Sequence, residues 1–180
     1  MDEQRLWAPW RMDYIAGDKT PPPAAEPSAW HAGADRGCFM CRAAATYADE
    51  AAAARANLVV AADAHAVAIL NRYPYNNGHL LVCPRRHVAE LCELTDDEHV
   101  AAMHAIAHFT GLLGGLIRAE GFNIGLNLGR AAGAGVPGHL HWHVVPRWTG
   151  DSNFMPVTGD ARIISQSLDA LWEAIAAQKG

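Results

Sequence analysis

Between residues 139 and 144 the chain alternates strictly between imidazole and apolar side chains: His139-Leu140-His141-Trp142-His143-Val144. A period of two predicts a strand with three histidines on one face and Leu140, Trp142 and Val144 turned toward a core. Neighbouring imidazoles would stand roughly 6–7 Å apart. Pro146 is expected to end the ladder, and Arg147 follows it with a guanidinium able to fork onto phosphate. Shorter apolar runs predict further strands at 58–60, 66–70, 80–83 and 122–128. Asp63-Ala64 and Asn76-Asn77-Gly78 supply turn chemistry between them. Thr95-Asp96-Asp97-Glu98 reads as an N-cap with its reciprocal glutamate, opening a long helix that Gly121 is expected to stop. Val100, Met103, Ala107, Leu113 and Ile117 would form its core-facing stripe. Residues 43–56 are alanine-rich and predict a short helix. From Ser165 onward, Leu168, Leu171, Trp172 and Ile175 share one face of a last one. The pattern predicts an α+β fold, an antiparallel sheet covered on one side, with one long and one C-terminal helix.

The chain has 180 residues, enough for one domain with a sizeable core. Residues 1–37 read as an N-terminal arm and proline-rich connector, and 38–180 as the domain. Trp7, Trp10, Tyr14 and Ile15 make the arm too aromatic for a free tail, so it is expected to pack on the body. The formal charge is −5, which disfavours a general nucleic-acid binder. No apolar run reaches the length of a membrane helix, and the acidic N-terminus lacks a secretion signal. Four cysteines form no disulfide framework, so a reducing cytoplasm is the expected location.

A neutral imidazole is a good nucleophile near pH 7, and a second one can hold its tautomer. The glycine-rich stretch from Asn127 to Gly135 can bring backbone N–H groups to phosphate oxygens. A pure metal site on His-x-His is the competing reading. Amidohydrolase barrels that use the pair need far more than this length, and a cupin-like roll has no long mid-chain helix. Cys38-Phe39-Met40-Cys41 has the spacing of a zinc half-site, and with no second such pair a tetrahedral site needs two histidines from elsewhere. Cys83 reads as a small core residue. His65, His99, His104 and His108 read as solvated, and His79 as a structural hydrogen-bonding group. Arg85-Arg86 is either a solvated face or a source of positive potential.

Residues 138–147 resemble the signature of the histidine triad (HIT) superfamily of nucleotide hydrolases and transferases. Residues 70–82 resemble its nucleoside-binding strand pair, and 122–129 its phosphate loop. Residues 6–12 and 148–154 are most similar to a bacterial branch of diadenosine tetraphosphate phosphorylases or hydrolases. The resemblance implies that His141 attacks the α-phosphorus and carries the nucleotidyl group, with His143 contacting phosphate and orienting it and His139 supporting it. It further implies phosphate contacts from Asn127 and the backbone at Gly135, and ribose contacts from Asn71. A structural zinc on Cys38, Cys41, His87 and His139, and a homodimer, are also implied. Nucleoside phosphoramidate hydrolysis, AMP transfer, or a nucleotide or metal sensor with little turnover are the alternatives. The chain departs from the family at Val136-Pro137, where Ser or Thr often stands three residues before the first histidine, and its loop to His139 looks one residue longer.

Overall fold

The computed structural model describes residues 26–151, 164 and 166–179. The expected docking of residues 1–15 and most of the connector therefore lie outside the described residues. Five antiparallel strands, β1 (Val59–Ala62), β2 (Ala66–Leu70), β3 (Leu80–Pro84), β4 (Gly121–Leu126) and β5 (Trp142–Arg147), form one sheet in the order β1-β2-β3-β5-β4. The histidine-bearing strand β5 is thus interior, paired with β3 through Leu80–Val144, Leu81–His143 and Val82–Trp142. Its other neighbour β4 runs from Gly121 opposite Arg147 to Leu126 opposite Trp142.

All five residues of β2 and all five of β3 are buried. Because successive side chains point to opposite faces, both faces are covered at the sheet's centre rather than the one face that was expected. The long helix α3 (Asp96–Leu116) packs on β2, β3 and β5, and α1 (Phe39–Ala44) packs on β2. The helices α2 (Glu50–Ala56) and α4 (Leu168–Ala176) lie against β1. Trp172 fixes α4 by donating its indole N–H to the Val59 carbonyl at 2.9 Å.

The alanine-rich stretch is two helices, not one. Thr46 exchanges main-chain hydrogen bonds with Ala29, and Asp49 starts the second helix by accepting from the Ala52 N–H. Extended backbone at Ala45 makes the break. In α3 the capping box at Thr95 and Glu98 forms as predicted. The buried face, however, is Ala101, Ala102, Ile106, Phe109 and Leu113, while Val100 and Met103 are exposed. With apolar side chains almost all round this helix, its pattern leaves the phase poorly defined, and packing on the sheet decides it. Phe109 and Leu113 are fully buried, a burial that contributes about 1.5–3 kcal/mol for each such side chain. The helix ends at Leu116, before Gly121, where Arg118 takes a left-handed φ of 52° and Gly121 already opens β4. Pro146 lies within β5, opposite Phe122. Past Val144 the strand has lost its β3 partner, and an edge of that kind tolerates a residue without an N–H.

Candidate active site and metal centre

Two turns and one strand bring four histidines together. Gly78 takes φ +75° immediately before β3, and a Cβ there would stand 2.8 Å from Ile117 Cδ1 and 3.1 Å from Pro146 Cγ. The turn can therefore lie against α3 and β5 only with glycine, and it delivers His79 to the interior. His143 projects from β5 between cross-strand partners Leu81 and Gly125, the latter with no side chain to crowd it. His139 and His141 precede the strand, where the Leu140 N–H donates to Val88 at 2.7 Å. The alternation reaches further than the sheet does.

The hydrogen bonds assign each neutral ring its tautomer, because a carbonyl can only accept and an N–H can only donate. His141 donates from Nδ1 to the His139 carbonyl at 2.8 Å, which leaves a lone pair on Nε2. Among the described residues, only Arg85 Nε is a side-chain nitrogen or oxygen both buried and unpartnered. Nε2 of His141 has no hydrogen-bond partner among the described residues and so is not enclosed by them, although the residue is only 8% exposed. His79 Nδ1 accepts from the Tyr75 N–H at 3.0 Å and from the Asn71 amide at 3.2 Å. Its proton is therefore on Nε2, where it donates to His143 Nδ1 at 2.9 Å. His143 then carries its own proton on Nε2, which stands 3.5 Å from Asn127 Nδ2; two donors cannot bond, so the contact becomes a hydrogen bond only with the amide turned to present its oxygen. The rings of His141 and His143 stand 5.0 Å apart, edge to face. Burial, reinforced by His141, holds His143 down at about 4, and burial with His143 and His141 holds His79 at about 3. At neutral pH the pair is uncharged, and its outward end is an N–H donor.

His139 turns the other way. Its Nε2 donates to the Pro84 carbonyl at 2.9 Å, so Nδ1 faces Cys38 Sγ at 3.4 Å and Cys41 Sγ at 3.5 Å with a lone pair. Cys41 Sγ is also 3.2 Å from His87 Nδ1. These four donor atoms lie within 4.8 Å of one another. Tetrahedral zinc, with bonds of about 2.3 Å to sulfur and 2.0 Å to nitrogen, sets its ligands about 3.3–3.8 Å apart. Donor type and spacing therefore fit the ion, and four protein ligands would leave it no open position. Burial, with Cys38 alongside, pushes the Cys41 thiol up to about 12, so it becomes a thiolate only against a cation. Gly138 closes one side, since a Cβ there would lie 3.2 Å from His87 Nε2.

The remaining predicted residues divide. Asn127 reaches His143, and Gly135 is exposed in the loop that Gly129 and Gly133 bend with φ of 73° and 85°. Val136, where the family often has a hydroxyl, packs partly buried against the core. Asn71 accepts from the Tyr73 N–H and donates to His79, keeping one N–H and one carbonyl lone pair unused by these contacts. Arg147 does not present a vacant fork to phosphate. It grips Asp151 through Nε and Nη2 at 2.6 and 2.8 Å and Asn123 through Nη1 at 2.7 Å. Asp151 lay outside the motif and was not anticipated. Arg86 is likewise engaged by Glu98, and Arg85 lies 3.0 Å from His31. Cys83 is a buried core residue, as expected, and no helix among the described residues is long and apolar enough to cross a membrane. Tyr75 was also missed, although its place in the Asn-rich turn before His79 was the available signal.

The HIT domain model matches residues 53–150. A Mycobacterium tuberculosis protein named AP-4-A phosphorylase is 41% identical over 165 residues, spanning 92% of this chain and 78% of its own. A zinc-bound histidine triad family protein from Mycobacterium smegmatis superposes with a TM-score of 0.52 at 28% identity, covering 67% of this chain and 81% of that one. A histidine triad nucleotide-binding protein from Sulfolobus tokodaii gives 0.56 at 27% identity, with the same 67% of this chain and 81% of the other covered. With its five-stranded sheet and its histidine cluster already in place, the chain belongs to the HIT domain family.

Proposed function

We propose that this protein cleaves dinucleoside polyphosphates, diadenosine tetraphosphate foremost, through a nucleotidyl-histidine. The observation that carries the reading is His141, with Nδ1 committed to a carbonyl and Nε2 left as a lone pair without a partner among the described residues. That nitrogen forms a bond to the α-phosphorus as the bond from phosphorus to the bridging oxygen breaks, so ATP departs and AMP stays on the ring. His143 Nε2–H donates a hydrogen bond to the departing oxygen and keeps its proton, and the negative charge that develops there leaves with ATP. A second acceptor then takes the nucleotidyl group and returns His141 to its starting form. Phosphate as acceptor yields ADP, and water yields AMP. The mycobacterial relative named AP-4-A phosphorylase favours phosphate.

Asn127 and the backbone around Gly135 would hold phosphate oxygens, and Asn71 keeps one N–H and one lone pair for a ribose hydroxyl. Zinc, bound by Cys38, Cys41, His87 and His139, would supply structural rigidity and no chemistry of its own. Thiolate ligands of this kind suit a reducing cytoplasm. The resemblance also supports a homodimer.

Incubation with diadenosine tetraphosphate, with and without phosphate, tests the reading. ADP plus ATP, appearing only with phosphate, is the expected result, and AMP plus ATP would move the assignment to asymmetric hydrolysis. Intact mass spectrometry of acid-quenched protein should show one AMP added. Absence of both products and adduct would favour a sensor.

A further inference from the structure

The turn before β3 places one aromatic ring against both members of the His79–His143 pair. The Tyr75 ring lies 5.6 Å from the His143 ring at an interplanar angle of 23°, and 4.7 Å from His79 at 33°. The two imidazoles are themselves 5.1 Å apart. Tyr75 is 51% exposed, so one side of it faces solvent while the other contacts the pair. The same residue supplies the main-chain N–H that occupies His79 Nδ1.

We propose that Tyr75 is a positioning residue for the transfer step: its N–H fixes the direction of the His79–His143 hydrogen bond, and its ring shields that bond from water. Two independent contacts thus converge on one function. The N–H and the Asn71 amide permit only the tautomer in which the hydrogen-bond relay points outward. The ring removes solvent from the side on which imidazolium would otherwise be hydrated, and desolvation disfavours that charge. Among the described residues, the titratable groups in contact with His143 are His79 just before β3, His141 on the preceding segment and Tyr75 in the turn. Its cross-strand neighbours Leu81 and Gly125 carry no charge, and Asn127 is a neutral amide. Burial is accordingly the first cause of its low basicity. The phenol hydroxyl takes no part, so the ring and not the oxygen should matter.

This role rests on the nucleotidyl-histidine reading, but its physical core can be measured without substrate. Nitrogen-15 NMR of the histidine rings, followed against pH, reports the His143 midpoint and tautomer directly. Tyr75→Phe should leave both unchanged. Tyr75→Ala should raise the midpoint by about one unit or more, and the acid limb of kcat/KM should move with it. Should Tyr75→Ala fail to fold, Tyr75→Leu keeps apolar bulk without a flat ring and is expected to give a smaller shift in the same direction. An unchanged midpoint in the folded Ala or Leu variant overturns the proposal, as does a shift in Tyr75→Phe equal to that in Tyr75→Ala. A wild-type protein without turnover but with the expected NMR shift would refute the enzymatic reading and leave the positioning of His143 intact.

Discussion

The main-chain carbonyl of His139 accepts a hydrogen bond from His141 Nδ1 at 2.8 Å, while the His139 side chain sits among Cys38, Cys41 and His87. One residue therefore joins the candidate metal site to the imidazole proposed as nucleophile. Its ring is fixed by the cluster and by Pro84, and its carbonyl inherits that fixity. The carbonyl in turn decides which nitrogen of His141 bears the lone pair.

Loss of metal should accordingly disturb chemistry more than binding. Cys41→Ser, or exhaustive chelation, is expected to lower kcat about 10–100-fold, with KM changed far less, because the substrate's own contacts lie elsewhere. Zinc content by mass spectrometry should fall in parallel. Unchanged kcat in a metal-free protein would disconnect the two sites.

His141→Asn removes the proposed nucleophile and keeps a small polar side chain. Turnover should drop by at least about 1,000-fold, the scale on which enzymes lose activity with a covalent nucleophile. Binding of a non-cleavable dinucleotide, measured by calorimetry, should remain within a few-fold. No AMP adduct should accumulate.

The His79–His143 hydrogen bond predicts a dependence on the leaving group. His79→Phe preserves a ring but not the donor to His143 Nδ1, and should cost about 10²–10⁴ in kcat with polyphosphate substrates. A nucleoside phosphate ester with a strongly acidic leaving group needs little stabilisation of its departing charge and should lose much less. Equal losses on both substrates would make His79 merely structural.

The strands were legible because apolar runs and period-two alternation are local properties. The order β3-β5-β4 was not, since it depends on which edge each apolar run finds. Nor was the divergence of His139: alternation assigns three histidines to one face, yet the strand begins only at Trp142. The Cys38–Cys41 spacing gave half the metal site, but His87 and His139 came from the resemblance, and the fold then brought all four within reach. Arg147 shows the opposite failure. A guanidinium suited to phosphate is equally suited to a carboxylate, and Asp151, four residues on, supplies one. For Tyr75 only its place in the turn before His79 was legible; its stacking on both rings depends on how the turn folds back, which composition does not encode.

Gly78 should tolerate no side chain. Alanine there meets both the positive φ and the close approach of Ile117 and Pro146. The expected cost is about 2–4 kcal/mol, combining backbone strain with overpacking. Urea unfolding would register it as a lower midpoint at an unchanged slope. Because the turn carries His79, activity per folded molecule should fall too.

Glu98 links the fold to pH. Its side chain is buried, accepts from Arg86 at 2.6 and 2.7 Å, and also accepts from the Thr95 N–H and hydroxyl. The Arg86 hydrogen bonds, the largest influence, bring its carboxyl down to about 2. A group whose folded value lies below its unfolded value binds fewer protons when folded, so stability rises with pH through that interval. The contribution is complete above about 4.5, the ordinary glutamate value, and is lost progressively as pH falls toward 2. Glu98→Gln removes the titration and should flatten this part of the stability curve, leaving a protein less stable at neutral pH. Glu98→Ala also abolishes the capping box and strands Arg86, at an expected cost of about 2–4 kcal/mol. Denaturant unfolding at pH 3, 5 and 7 separates the outcomes: parallel losses at all three would assign Glu98 a purely steric role, whereas a deficit that shrinks toward pH 3 identifies the ion pair.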